Sequence, residues 1–168
     1  MKKLSVILLA LIFILSGCGK AEPKEVIGSF SFLVRCDNIL KNTDKLNKDK
    51  SEFVPENGYL IEKTVIDLHE GDTPFDVLTT LCREKGIKVE FASTAGTDTK
   101  YVNAINNLYP GDCGEMSGWV YTVNGEYSNE AANVYQIKDN DLIEWIYTCD
   151  LGRDIGGDYA QRNGKENE

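Results

Sequence analysis

One segment of this chain carries a complete set of helix signals, and it stands among short runs of β-forming residues. Thr73 is placed as an N-cap, Pro74 takes the first helical position, and Asp76 stands three residues after the cap. Phe75, Leu78, Leu81 and Cys82 recur on one helical face, and Gly86 follows where a closing glycine belongs. The pattern predicts a helix over about 74–85 whose apolar face, Cys82 included, meets a sheet. Residues 29–34, 59–68, 87–92, 118–124 and 142–148 are rich in β-branched and aromatic side chains and read as strands. Residues 101–109 read equally as strand or irregular chain, and 134–137 as a short strand. Asn124-Gly125 is a hairpin turn signal. One helix against a mixed sheet is an α+β arrangement, for which a β-grasp-like fold is the simplest match.

The N-terminus reads as an address. Lys2 and Lys3 precede an apolar run over 4–15 that only Ser5 interrupts. About a dozen residues is short of the roughly 20 that span a membrane, which is the pattern of a secretory signal peptide. The run ends Leu15-Ser16-Gly17-Cys18 and resembles the bacterial lipobox. That resemblance implies a lipid on the Cys18 thiol, cleavage before Cys18, and an anchor on the extracytoplasmic side of a bacterial membrane. The expected organisation is a signal peptide over 1–17, a lipidated polar tether over 18–28, one domain over 29–156, and a disordered tail over 157–168. A net charge of −9 excludes a nucleic-acid binder, which needs a basic face. It also gives no attraction to anionic lipid, so the anchor has to be the lipid itself.

Export places Cys36, Cys82, Cys113 and Cys149 in an oxidising compartment, where disulfides persist. Four cysteines allow three pairings. No CxxC spacing occurs, which speaks against a zinc knuckle. If strand 118–124 lies antiparallel to 142–148, Cys113 comes toward Cys149. The helix returning toward the end of the first strand brings Cys82 toward Cys36. The expected disulfides are Cys36–Cys82 and Cys113–Cys149.

Catalytic chemistry finds no support. His69 is the only imidazole, so Cys82 as a nucleophile would lack any other base. Asp139, Asp141 and Glu144 lack the spacing of a calcium loop, and no metal site is expected. Asp112 and Glu115 have nothing to hold a substrate between them. The chain is expected not to be an enzyme and to require no cofactor.

Three stretches resemble one family. They are Glu70-Gly71-Asp72-Thr73-Pro74-Phe75-Asp76-Val77-Leu78, Ser117-Gly118-Trp119-Val120-Tyr121-Thr122-Val123-Asn124-Gly125, and Ile143-Glu144-Trp145-Ile146-Tyr147-Thr148-Cys149-Asp150-Leu151-Gly152. Together with the loop 108–114 they are similar to the bacterial domain family of unknown function related to the C-terminal, soluble-ligand-binding domain of transcobalamin and intrinsic factor. The resemblance covers roughly 29–156. It implies a β-grasp fold and a small-molecule ligand, with cobalamin or another corrinoid as prototype, bound with or without a partner protein. The large helical domain that completes the transcobalamin site has no counterpart here.

The residues themselves support a binding surface. Trp119 and Tyr121 alternate onto one face of their strand, as Trp145 and Tyr147 do on theirs. Gly118 permits close approach, and Ser117 and Asn124 offer polar groups at the edge. The candidate ligand-binding residues are Tyr109, Ser117, Gly118, Trp119, Tyr121 and Asn124. Trp119 is the foremost of them, and Trp145 is expected in the core. The reading is a membrane-anchored ligand-binding lipoprotein that hands its ligand to a transporter. The second reading is a cell-surface protein–protein interaction module with no small ligand, the same rings docking a partner.

Overall fold

The structure, a computed structural model, describes residues 24–156. The signal segment, Cys18, most of the tether and the tail lie outside the described residues. Seven strands are present: β1 (Val26–Arg35), β2 (Tyr59–His69), β3 (Val89–Ser93), β4 (Lys100–Ile105), β5 (Gly118–Val123), β6 (Glu126–Tyr127) and β7 (Leu142–Thr148). They form a five-stranded sheet in the order β2-β1-β7-β5-β6 and a separate pair, β3-β4. β1 runs parallel to β7, and the other pairings are antiparallel. A short helix, α1 (Asp37–Leu40), follows β1, and the main helix, α2 (Pro74–Glu84), follows β2. The result is a sheet-dominated α+β fold, as the sequence pattern requires.

The helix forms for local reasons. The Thr73 hydroxyl oxygen accepts from the Asp76 backbone N–H at 3.2 Å and its O–H donates to the Asp76 carboxylate at 2.8 Å. Both ends of the capping exchange thus lie within the first turn. Pro74, Phe75, Leu78 and Cys82 are buried, and the last three share one core with Phe30, Phe32 and Val34 of β1 and Ile143, Trp145 and Tyr147 of β7. Full burial of a Phe or Leu side chain contributes about 1.5–3 kcal/mol, so this stripe holds the helix on the sheet.

Two boundaries differ from the sequence reading. β1 begins at Val26, inside the segment expected to be tether, because its first residues pair with the end of β2 at His69. The expected strand over 134–137 is instead a turn and an extended link. The Val134 and Tyr135 N–H groups both donate to the Ala131 carbonyl, and Ile137 is pinned by its N–H to the Asp72 carbonyl at 3.0 Å. The ambiguous stretch resolves into β4 followed by a turn in which Asn106 and Asn107 take positive φ.

The cysteines require a correction. All four are buried thiols, and neither expected disulfide is formed. Cys113 and Cys149 do meet, with sulfurs 3.3 Å apart, a contact rather than a bond of about 2.05 Å. Cys36 and Cys82 are both fully buried in the common core. Burial pushes each of their thiols up to about 12, so they behave as apolar side chains.

Candidate functional site: a slot at the open edge of β5

The strand register sets the site. Trp119 lies opposite Tyr147, Tyr121 opposite Trp145, and Val123 opposite Ile143, which puts all six side chains on one face of the sheet. Trp119 and Tyr147 meet edge to face at 5.3 Å between centroids, and Tyr121 and Trp145 lie tilted at 5.4 Å. On the outer side of β5, β6 pairs only with Thr122 and Val123. Gly118 to Tyr121 therefore have no strand beyond them among the described residues. The next strand in space is β4, which belongs to the other sheet.

Between β5 and β4 lies a cavity of about 410 Å³. One wall is Gly118 to Tyr121 with Trp145 behind them, and the opposite wall is Lys100, Tyr101 and Val102. Residues 127–132 close it on the side of β6, and Met116, Thr148 and Leu151 complete it below. The volume lies in the range of small-molecule sites, and the walls mix aromatic and aliphatic side chains with a substantial share of polar ones. The Tyr121 hydroxyl donates to the Glu130 carbonyl, which ties the closing loop to the strand. Burial is the leading cause holding the Tyr121 phenol above its ordinary value.

Ser117, Gly118, Trp119 and Tyr121 all line the cavity, as the sequence places them. Two other candidates do not. Asn124 sits in the hairpin turn with φ +55°, its amide donating to Asp141 at 2.8 Å and its carbonyl oxygen accepting from the Leu142 N–H at 2.8 Å. Both ends of that side chain are committed to closing the turn. Tyr109 lies beyond the slot, where its hydroxyl donates to Glu90 at 2.6 Å and the Lys50 ammonium stands 4.7 Å from its ring centroid. Glu90 is held below the usual carboxylate range first by its hydrogen bond with Lys88 and then by that from Tyr109.

Both tryptophans are buried and both line the cavity, with Trp145 in the core as expected. Trp119 is only 4% exposed, and its Nε1–H donates to the Leu108 carbonyl at 2.9 Å. Trp145 is 3% exposed and also lines the cavity, yet its Nε1–H has no partner among the described residues. That Nε1 atom is itself inaccessible, so Trp145 meets the cavity through its other atoms. The sequence carried the signal for this residue in the alternation of 143–148. The pairing of Tyr121 with Trp145 is what brings it to the slot.

A polar network fixes the mouth of the slot. The Ser117 hydroxyl oxygen accepts from the backbone N–H groups of Gly111 at 3.1 Å and Cys113 at 3.0 Å and lies 2.9 Å from the Tyr147 hydroxyl. Tyr147 in turn donates to the Tyr109 carbonyl at 2.6 Å. Tyr147 is fully buried, and desolvation is the main reason its phenol titrates far above the ordinary value. Among the described residues no group of His, Cys, Asp and Glu is arranged to hold a metal ion. No described helix is long and apolar enough to cross a membrane.

Comparison with known proteins gives a family match over part of the chain and two distant structural similarities. No curated protein matches the chain. Among solved structures, haptocorrin in complex with Cbi is similar at 14% identity and a TM-score of 0.49, over 74% of this chain and 25% of that one. The chain therefore spans about a quarter of haptocorrin's length. A protein from Ruminococcus gnavus ATCC 29149, described as a candidate metal binder, is similar at 13% identity and a TM-score of 0.41, over 72% of this chain and 96% of that one. The family match rests on the stretch that begins at the turn before α2 and ends with β7: residues 71–148 fit the model of a domain of unknown function, DUF4430.

Proposed function

We propose that this chain is a non-catalytic, extracytoplasmic binding module, lipid-anchored through Cys18, that captures a small ligand in the slot beside β5. The observation that carries the reading is a ligand-sized cavity walled by Trp119, Tyr121 and Trp145 at the open edge of β5. The aromatic rings border a concavity rather than a convex patch, which favours a small ligand over a docked protein surface. The sequence resemblance to the transcobalamin C-terminal domain names a corrinoid as the first ligand to try. A corrinoid is larger than the slot, so it would enter by an edge group, with a partner covering the rest.

The test is calorimetric titration of the full chain with dicyanocobinamide and with cyanocobalamin, beside a thermal-shift screen of small polar metabolites. Binding that weakens at least fivefold in Trp145→Phe supports the slot as the site. Binding unaffected by that change places the ligand elsewhere. No stabilisation by any ligand at millimolar concentration removes the reading, since specific binding to the native state must raise its apparent stability.

A further inference from the structure

The slot has the shape of a missing strand. Asn124 donates its N–H to the Leu142 carbonyl at 2.8 Å, so this residue and every second one before it, Thr122, Val120 and Gly118, point their backbone groups at β7. Trp119 and Tyr121 then point theirs the other way, toward the slot. At Thr122 and Val123 β6 closes the edge, and at Ser117 the carbonyl accepts from the Gly111 N–H at 3.1 Å. The window between these two closures is centred on Trp119.

The walls repeat the alternation of a strand. Trp119, Tyr121 and Trp145 line the cavity from one face of the sheet, while Val120 and Thr148 line it from the other. One cavity reached from both faces of a strand edge offers a backbone position at the edge and side-chain room above and below it. At about 3.3 Å per residue, four residues of edge accommodate about three residues of an added chain. A ring-shaped or flat ligand would use one face only.

We propose that the slot binds a short extended peptide, two or three residues long, whose main chain pairs with the Trp119 edge of β5 and whose side chains lie against Trp145 on one face and Val120 on the other. The inference rests on the slot being the ligand site and names the chemical class of ligand. Backbone pairing supplies the affinity.

The experiment uses the full chain and a randomised pool of acetylated, amidated tripeptides, with retained members identified by ultrafiltration and mass spectrometry. Backbone amide exchange is then followed with and without a retained peptide and with its analogue N-methylated at the central amide. The expected result is at least tenfold slower exchange at the Trp119 amide with the peptide and at least tenfold weaker binding of the N-methyl analogue. Trp145→Phe is expected to weaken the peptide a further fivefold or more. The N-methyl comparison needs no variant, so it decides the matter even if Trp145→Phe does not fold. An empty retentate, unchanged Trp119 exchange, or equal binding of the N-methyl analogue overturns the inference. A corrinoid or other small ligand that binds in the slot without protecting Trp119 overturns it too, and leaves the proposed function standing.

Discussion

Replacing Tyr147 by phenylalanine removes one oxygen from the centre of the network that positions the start of β5. In the native chain the Ser117 O–H donates to Tyr147, and Tyr147 donates to the Tyr109 carbonyl at 2.6 Å. The phenyl ring that remains keeps the edge-to-face contact with Trp119, so packing is conserved. What is lost is the acceptor for a buried serine hydroxyl and the shorter of two donors to the Tyr109 carbonyl, which retains the Asp112 N–H at 3.2 Å. An unsatisfied buried polar group costs about 1–3 kcal/mol, and with the carbonyl still served the net loss is about 1.5 kcal/mol. For a domain of this size the unfolding entropy is about 0.3 kcal/mol/K, so Tm falls by about 5 °C. Ser117→Ala has a similar cost, because the Cys113 N–H loses its acceptor while the Gly111 N–H keeps the Ser117 carbonyl. The two changes share one hydrogen bond, so together they cost less than their sum by about 1 kcal/mol. Thermal and urea unfolding followed by near-ultraviolet circular dichroism measure all three variants. A Tm shift for Tyr147→Phe within about 1 °C of zero, or strict additivity in the double variant, refutes the network as drawn.

Other consequences follow from single features. Glutathione disulfide is expected to oxidise Cys113 and Cys149 to one intramolecular disulfide without disturbing the fold, since the sulfurs already touch. Closing that loop raises stability by about 4 kcal/mol in the chain-entropy picture, and a non-reducing shift in mobility with an unchanged Tm would contradict it. Gly152→Ala drives a methyl carbon into the Tyr127 hydroxyl at a position with φ +84°, and is expected to destabilise by about 3 kcal/mol in denaturant titrations. Cys36 and Cys82 stay protonated in the folded chain up to about 12, against an ordinary value of 9.0. Their contribution to stability is complete below about pH 9 and is lost as pH rises toward about 12. Native-state alkylation at about pH 8, below the ordinary thiol range, should leave both unlabelled until denaturant is added.

The helix was legible because its signals are local: Thr73, Pro74 and Asp76 define one end, and the Phe75, Leu78, Cys82 spacing defines the buried face. The Asn124-Gly125 hairpin was legible for the same reason, and both residues take the positive φ that the turn demands. The start of β1 was hidden because Val26 and Ile27 are more than half exposed and stand next to Lys24 and Glu25. Their place in the strand depends on His69 and Leu68, far along the chain. Residues 134–137 look like a strand because Val134, Tyr135 and Ile137 are β-formers, but Ile137 is held by Asp72 and not by a neighbouring strand. The slot was half legible. Ser117 to Tyr121 announce it, whereas Trp145 and the Lys100–Val102 wall reach it only through strand register and the shortness of β6. Tyr109 and Asn124 carry the right chemistry for a site, and long-range hydrogen bonds assign that chemistry to loop closure.

The parallel pairing of β1 with β7 has a temporal consequence. The centre of the sheet is built from the first strand and the last one, with every other strand between them in sequence. A growing or partly delivered chain can pair β1 with β2, but β1 lacks its second neighbour until β7 is made. The sheet is whole only once Thr148 has emerged, its opening segment then clasped by its closing one.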